Sequence, residues 1–153
     1  EKMDHGPVVG KWKVESGKWN NEEWPPRAYE LEKLLAHEGG KLLVDVIPKW
    51  VAGEISPREQ DHTQATYTRK ITREDGLIAL GEVAHKPHET FLKIRALDPW
   101  PGTYFFAERH DKKIRIKIKN AVFKNGALEI TRVQPENSRE IAYTDFSRGS
   151  DGN

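Results

Sequence analysis

The side chains whose type and spacing best suit a chemical role are cations in the middle of the chain. Residues 113–119 alternate strictly between charged and apolar positions, so a strand there would point its cations to one face. Cations dispersed along a face bind phosphates and orient a folded RNA, but they do not read its sequence. The candidates for such contacts are Arg69, Lys70, Arg73, Lys112, Lys113, Arg115, Lys117 and Lys119.

The distribution of charge agrees with a basic face but does not require one. The chain has 25 Lys+Arg and 24 Asp+Glu, a net charge of +1, which excludes a strongly basic nucleic-acid coat and an acidic tail. Residues 63–124 alone hold 13 basic and 7 acidic side chains, between two acidic flanks. A solvated, Lys-rich sheet surface gives the same excess, and charge alone favours that explanation.

A second chemical candidate is the sequence Asp4-His5-Gly6-Pro7 near the first residue. A carboxylate beside an imidazole can move a proton, yet by itself this pattern is typical of a turn. The chain has six His and no Cys, which excludes disulfides, Cys-ligated zinc, iron–sulfur clusters and thiol catalysis. His85 and His88 are the closest His pair, and no carboxylate cluster completes a ligand set, so we predict no metal site.

Length and composition favour a folded protein without membrane or export segments. The 153 residues suffice for one domain plus part of another, and five Trp, five Phe and four Tyr argue against a disordered chain. No apolar run approaches the roughly 20 residues that a membrane helix needs, so we expect a cytoplasmic protein. The chain begins at Glu1 without Met, and we expect its amino end to be a cut.

Residues 1–40 contain signals for one strand and one helix. Apolar residues between Val8 and Val14 suit a strand. Pro25-Pro26 suits the opening of a helix, because proline fits the first helical position. We expect Gly39-Gly40 to end that helix, since glycine is the preferred residue just past a helix end.

A second helix is predicted after these glycines, and it should end at Gly53. Its apolar residues recur at helical spacing and form one stripe, made of Leu43, Val46, Ile47, Trp50 and Val51. An exposed stripe of that size favours association between copies of the chain. The polar residues 55–61 that follow indicate a linker, so we place a domain boundary near residue 60.

The residues beyond this boundary are predicted to form a β-rich domain. Residues 65–68 and 113–119 suit strands, and residues 89–97 suit a helix with Phe91, Ile94 and Leu97 on one side. Asn125-Gly126 is typical of a two-residue hairpin turn, because both central positions need a positive φ. The expected fold class is α+β, mostly β, with a small barrel of the OB type.

One segment is distinctive because two prolines flank a tryptophan directly after a helix end. This segment, Lys93–Tyr104, resembles the Ile-Arg-Ala-Phe-Asn-Pro-Trp-Pro-Gly stretch of the methionyl-tRNA formyltransferase family. Further matches cover nearly the whole chain in the same order: Asp4-His5-Gly6-Pro7, Leu42-Leu43 to Gly53, Gln60, Ala65-Thr66-Tyr67, Lys70-Ile71, Asp145-Phe146 and Arg148-Gly149. Within the segment we expect Trp100 to lie in the core and Arg95 to tie the helix end to the turn.

The resemblance implies an enzyme that transfers a formyl group from 10-formyltetrahydrofolate to the amino group of initiator methionyl-tRNA. It matches Asp4 to the family's catalytic Asp, and it implies that the cations named above hold the tRNA. Residues 1–60 would be the end of a Rossmann-like catalytic domain with its linker, and residues 61–153 a tRNA-binding barrel domain. The family's Asn-x-His and Ser-Leu-Leu-Pro motifs do not occur in the chain, so we expect a fragment of a monomeric enzyme that is inactive alone.

Three departures from the family pattern leave the finer assignment open. The chain has Ile78-Ala79-Leu80 where the family usually has Ile-Asp-Trp, Asp98 where Asn is common, and an unusual insertion at residues 19–26. Two alternatives therefore remain. One is another 10-formyltetrahydrofolate-dependent formyltransferase, such as one acting on a sugar nucleotide, and the other is an RNA-binding barrel without catalysis.

Overall fold

In the computed structural model of the chain, the residues that can be described are 7–14, 24–109 and 111–148. They divide into two compact units. As far as these ranges are described, the first unit comprises Glu1–Glu15 and Glu30–Lys70, and the second comprises Ser16–Tyr29 and Ile71–Asn153. The segment 24–29 therefore belongs with the C-terminal unit, although it lies far ahead of it in sequence.

The described elements are four α-helices, four β-strands and two short 3₁₀ helices. The helices are α1 (Ala28–Val51), α2 (Leu80–His85), α3 (Pro87–Ala96) and α4 (Tyr143–Arg148). The strands are β1 (Thr103–Arg109), β2 (Lys112–Lys124), β3 (Ala127–Pro135) and β4 (Ile141–Ala142). The 3₁₀ helices are His62–Gln64 and Glu74–Gly76. The mixed α+β class expected from the sequence is confirmed.

Helix α1 corrects the prediction of two helices separated by Gly39-Gly40, because it runs unbroken through both glycines. A capping glycine needs a positive φ, which is found at Gly53 (φ 72°) and not at this pair. The predicted end at Gly53 is confirmed. The N–H of Gly53 donates to the carbonyl of Trp50 at 3.1 Å, and the N–H of Glu54 donates to that of Lys49 at 2.9 Å, which together form a Schellman cap.

The apolar stripe of α1 is largely exposed within the first unit. Val46 is 8% exposed, whereas Leu43 and Ile47 are 57% and 54% exposed. Gly10 lies beside Val46, where an added Cβ would come within 3.3 Å of the Val46 side chain. Among the described residues of both units, no helix is long and apolar enough to cross a membrane.

Two predicted strands are wrong. The segment around Val8 contributes only one isolated bridge, in which Val8 and Arg58 exchange backbone hydrogen bonds of 2.8 and 2.9 Å. Residues 65–68 have no regular secondary structure and are exposed. Both apolar runs are short, and a strand is stabilised by cross-strand partners rather than by propensity alone.

The second unit is built on an antiparallel sheet with the strand order β1-β2-β3-β4. The predicted turn at Asn125-Gly126 is confirmed, since both residues have a positive φ and Lys124 pairs with Ala127. A comparable tight connection contains Asp111 (φ 58°) and joins β1 to β2. These two turns set the register of the three long strands.

The core of this unit lies between one face of the sheet and helices α3 and α4. Phe91 and Ile94 of α3 are 1% and 3% exposed, so the predicted helix and its buried side are confirmed. On the sheet, Ile116 and Val133 are fully buried. Phe146 of α4 closes the core, with its ring edge-to-face with that of a β1 phenylalanine.

Replacing Gly39 or Gly40 by Ala tests the continuity of α1. Because an added Cβ at either position meets nothing within 4 Å, each exchange should raise the free energy of unfolding by about 0.5–1 kcal/mol. Urea unfolding followed by circular dichroism measures the change. As a control, Gly53→Ala should lower the free energy by about 1 kcal/mol, because its φ is positive. A loss of stability at residues 39 or 40 would show that the helix is broken there.

Candidate nucleic-acid interface

The strongest candidate interface is the outer face of β2, whose predicted alternation is confirmed. Ile116 and Ile118 are 0% and 7% exposed and point into the core, so alternate residues point to the opposite face. That face carries four cations, here called the cationic stripe: Lys113, Arg115, Lys117 and Lys119.

Two aromatic rings of β1 lie beside the stripe. Strand register places Phe106 opposite Arg115 and Tyr104 opposite Lys117. The Lys113 ammonium lies 4.6 Å from the centre of the Phe106 ring, and the Arg115 guanidinium lies 5.7 Å from that of Tyr104. Each exposed cation–π contact is worth about 0.5–1 kcal/mol, so the rings hold long side chains in place before any ligand arrives.

On its other side, the stripe borders a polar groove at the end of β3. The groove is lined by Arg115 and Lys117 together with Gln134 and the turn residues Glu136 and Asn137. Glu136 lies 3.9 Å from Arg115, in an ion pair whose side chains are 39% and 46% exposed. Such an exposed pair is weak, so Arg115 stays available for an incoming phosphate.

The Arg27 guanidinium forms three hydrogen bonds at the Lys119 end of the cationic stripe. Its Nη1 donates to the Asp98 carboxylate at 2.7 Å and to the Lys119 carbonyl at 3.4 Å, and its Nη2 donates to the Asn120 side chain at 2.7 Å. The register of β2 against β3 shifts at Asn120, which marks a β-bulge. A β-bulge changes the direction of neighbouring side chains. The Arg27 hydrogen bonds hold the backbone at this bulge and therefore hold the Lys119 end of the stripe in one orientation.

None of the remaining predicted tRNA contacts is an outward-facing residue of β2. Lys112 lies four residues before the buried Ile116 on β2, so its side chain points to the same face as the isoleucines and away from the stripe. It pairs in register with Arg109. Arg69 and Lys70 are exposed residues of the first unit. Arg73 is exposed in the second unit and precedes the 3₁₀ helix Glu74–Gly76.

The predicted catalytic residue Asp4 lies outside the described residues. Within the ranges that are described, no three His, Asp or Glu side chains are grouped closely enough to hold a metal ion.

Two exposed carboxyls beside the short 3₁₀ helices, those of Asp61 and Glu74, have a lowered pKa. The Thr63 hydroxyl and backbone N–H and the Gln64 amide donate to Asp61, which lowers the pKa of that carboxyl. Hydrogen bonds from its own N–H and from Thr72 lower the pKa of Glu74. A lowered folded-state pKa adds stability above the unfolded value, and that stability is lost as the pH falls through the folded pKa. Both carboxylates therefore stabilise the fold at neutral pH and lose that effect in acid.

Two expectations for the Lys93–Tyr104 segment have different outcomes. Arg95 is 8% exposed and structural, as predicted, but the contacts found are a 2.8 Å hydrogen bond from its Nε to the Pro25 carbonyl and stacking on Phe91 at 5.8 Å. The expectation that Trp100 lies in the core is wrong, because its side chain is 59% exposed. The prolines fix the backbone of the turn and leave the indole outside it.

Sequence reasoning missed the aromatic rings and Arg27. Tyr104 and Phe106 alternate with the buried Phe105, a pattern that does place them on one face. Their position beside the stripe depends on the turn at Asp111, which has no Asn-Gly or Asp-Gly signature. Nothing in the sequence pairs Arg27 with residues about seventy and ninety positions away.

No protein-family profile matches the chain, whereas comparison with individual curated proteins finds clear relatives. The methionyl-tRNA formyltransferase of Herpetosiphon aurantiacus is 32% identical over 97% of this chain and 52% of its own length. That of Bacillus subtilis is 30% identical over 98% of this chain and 51% of its own length. The methionyl-tRNA formyltransferase of Chloroflexus aurantiacus is 40% identical over 68% of this chain and 31% of its own length. The chain spans about half the length of the relatives that it matches most fully.

Arg27→Ala should lower the free energy of unfolding of the second unit by about 1–2 kcal/mol, because it leaves the half-buried Asp98 carboxylate without its ion pair. Arg132→Ala is the matched control. It breaks an exposed pair with Glu140 and should cost less than about 0.5 kcal/mol. Urea unfolding of Arg27→Ala, Arg132→Ala, Asp98→Asn and the double variant Arg27→Ala/Asp98→Asn checks this, and a loss in the double variant equal to the sum of its two single losses would contradict the pairing.

Proposed function

Because this chain belongs to the methionyl-tRNA formyltransferase family, we propose that it is the tRNA-binding part of such an enzyme. The proposed reaction, located in the cytoplasm, transfers a formyl group from 10-formyltetrahydrofolate to the amino group of initiator methionyl-tRNA. The observation that carries the proposal is the cationic stripe, four cations on one strand face beside two aromatic rings.

The geometry of the stripe suits the backbone of a folded RNA. Alternate residues of a strand are about 6.6 Å apart, so the stripe extends over roughly 20 Å and can meet several phosphates. Lys113 and Arg115 are held by ring contacts, and Arg115 also by one weak ion pair, so few strong contacts of these two cations are lost on binding. Phosphate contacts of this kind give affinity and orientation without base specificity.

The chemical step is proposed for residues other than those of the stripe. Formyl transfer to an amine passes through a tetrahedral intermediate, which needs a base for the ammonium proton and donors for the oxyanion. By resemblance Asp4 serves the first need, and the Asn-x-His motif that serves the second does not occur in these 153 residues. We therefore assign none of the described residues to the formyl donor.

We propose that residues 1–60 are the end of a Rossmann-like domain and residues 61–153 an OB-like barrel, although the compact units of the structure change at residue 70 and group residues 24–29 with the second unit. Two features support this division. The described residues among the first 60 form mainly one long helix, α1. In the rest, β2 is a 13-residue strand in which residues 112–118 pair with β1 and residues 116–124 pair with β3, with a bulge at Asn120. A long bulged strand shared by two hairpins is the usual way in which a small sheet curls toward closure.

The stripe is tested by measuring tRNA binding at several salt concentrations. Replacing Lys113, Lys117 and Lys119 by Gln should weaken binding at low salt by about two orders of magnitude and reduce the salt slope by about 2–3. The control replaces three exposed lysines of α1, Lys33, Lys41 and Lys49, by Gln and has the same net charge. Equal losses in both triple variants would show that binding depends only on total charge.

The assignment of chemistry outside the described residues is tested by a formylation assay. The chain should bind methionyl-tRNA in a salt-sensitive way and should not formylate it when 10-formyltetrahydrofolate is supplied, because the oxyanion donors are missing. A full-length methionyl-tRNA formyltransferase from a relative serves as the positive control. Turnover by the 153-residue chain would overturn this part of the proposal, and failure to bind tRNA would overturn the proposed function.

A further inference from the structure

The indole of Trp100 is a large apolar group that the core of the second unit does not use. It is 59% exposed, whereas Leu97 in the same turn is 8% exposed. Single exposed apolar residues are common, so exposure alone does not indicate a role. The position of this ring and the rigidity of the backbone that carries it are what distinguish it.

The backbone of the turn is held at three points. The N–H of Gly102 donates to the Leu97 carbonyl at 2.9 Å, which closes the turn at its base. Gly76 packs so closely on Gly102 that an added Cβ would lie 2.1 Å from the Gly102 carbonyl oxygen. Arg27 holds Asp98 from a third direction. An aromatic ring on such a fixed backbone loses little freedom on binding a ligand.

The turn lies at the Lys119 end of the cationic stripe. β1 starts directly after the turn, at Thr103, which pairs with Ile118. Arg27 joins the two sites through one guanidinium nitrogen, which donates both to Asp98 of the turn and to the Lys119 carbonyl. The turn that carries the exposed Trp100 therefore lies next to the Lys119 end of the stripe.

We propose that Trp100 is a stacking platform for an unpaired nucleotide of the RNA that the cationic stripe binds. A line of cations that contacts the backbone, followed by an aromatic ring that takes a base, is the common arrangement for unpaired RNA segments. The inference rests on the proposed function, because it needs an RNA on the stripe. It adds that the bound RNA has an unpaired base at the Lys119 end, whereas Tyr104 and Phe106 serve mainly to hold the cations.

The test compares two RNA probes, a hairpin with an unpaired tail and the same hairpin without it, using the full 153-residue chain. Trp100→Ala should weaken binding of the tailed hairpin by roughly 5- to 100-fold, leave the blunt hairpin within about twofold, and leave the salt slope unchanged. Trp100→Phe should restore most of the affinity, because phenylalanine keeps a ring. Trp50→Ala, at a ring of α1 that is 46% exposed, is the matched control and should change neither affinity.

The outcomes separate this inference from the proposed function. If the wild-type chain binds the tailed hairpin and Trp100→Ala binds it equally well, the platform is disproved and RNA binding by the stripe stands. Equal losses for both hairpins would also disprove it, because the ring would then act through the fold or through paired RNA. If the wild-type chain binds neither RNA, the proposed function fails and the platform fails with it. Unfolding curves for Trp100→Ala and Trp100→Phe confirm that the fold is kept.

Discussion

The alternating burial of β2 is the constraint on which the candidate interface depends. Ile116 and Ile118 are 0% and 7% exposed, and burying each isoleucine stabilises the fold by about 1.5–3 kcal/mol. Because side chains alternate between the two faces of a strand, a shift of the β2 register by one residue would expose these isoleucines and bury the four cations of the stripe. Burying unpaired charge costs still more than exposing an isoleucine. The gain from burying isoleucine and the cost of burying charge therefore favour the same orientation of β2. The packing of the core thus determines which side chains form the candidate interface.

The regular alternation of buried and exposed residues along β2 is interrupted at Asn120. Ile118 and Ala121 are both buried although they are three residues apart, so one extra residue must be accommodated between them. The register shift at Asn120 is that accommodation. A bulge leaves polar backbone groups without regular partners, and Arg27 donates to the carbonyl and the amide side chain beside it. Arg27, which precedes α1, therefore supplies hydrogen bonds to a strand about ninety residues later in the chain.

The difference between what the sequence predicts and what it misses follows the range of the interactions. Local signals were sufficient for the face of β2, the turn at Asn125-Gly126, the buried side of α3 and the end of α1 at Gly53. They failed at Gly39-Gly40, where flanking helix formers outweigh a cost of about 1 kcal/mol per glycine. They failed at residues 65–68, where no cross-strand partner supports the pattern. Long-range contacts such as that of Arg27, and the exposure of Trp100, follow from tertiary geometry that no local pattern encodes.

The turn that carries Trp100 is tied to the chain ahead of α1 by one ion pair. Arg27 lies directly before α1, and Asp98 lies in the turn after α3, at a position where the family resemblance leads us to expect asparagine. The Arg27 guanidinium donates to the Asp98 carboxylate at 2.7 Å, with the two side chains 19% and 28% exposed. An asparagine there would offer one uncharged acceptor and a donor that opposes the guanidinium, so the carboxylate is the better partner for an arginine. This ion pair therefore joins the chain ahead of α1 to the turn that carries Trp100.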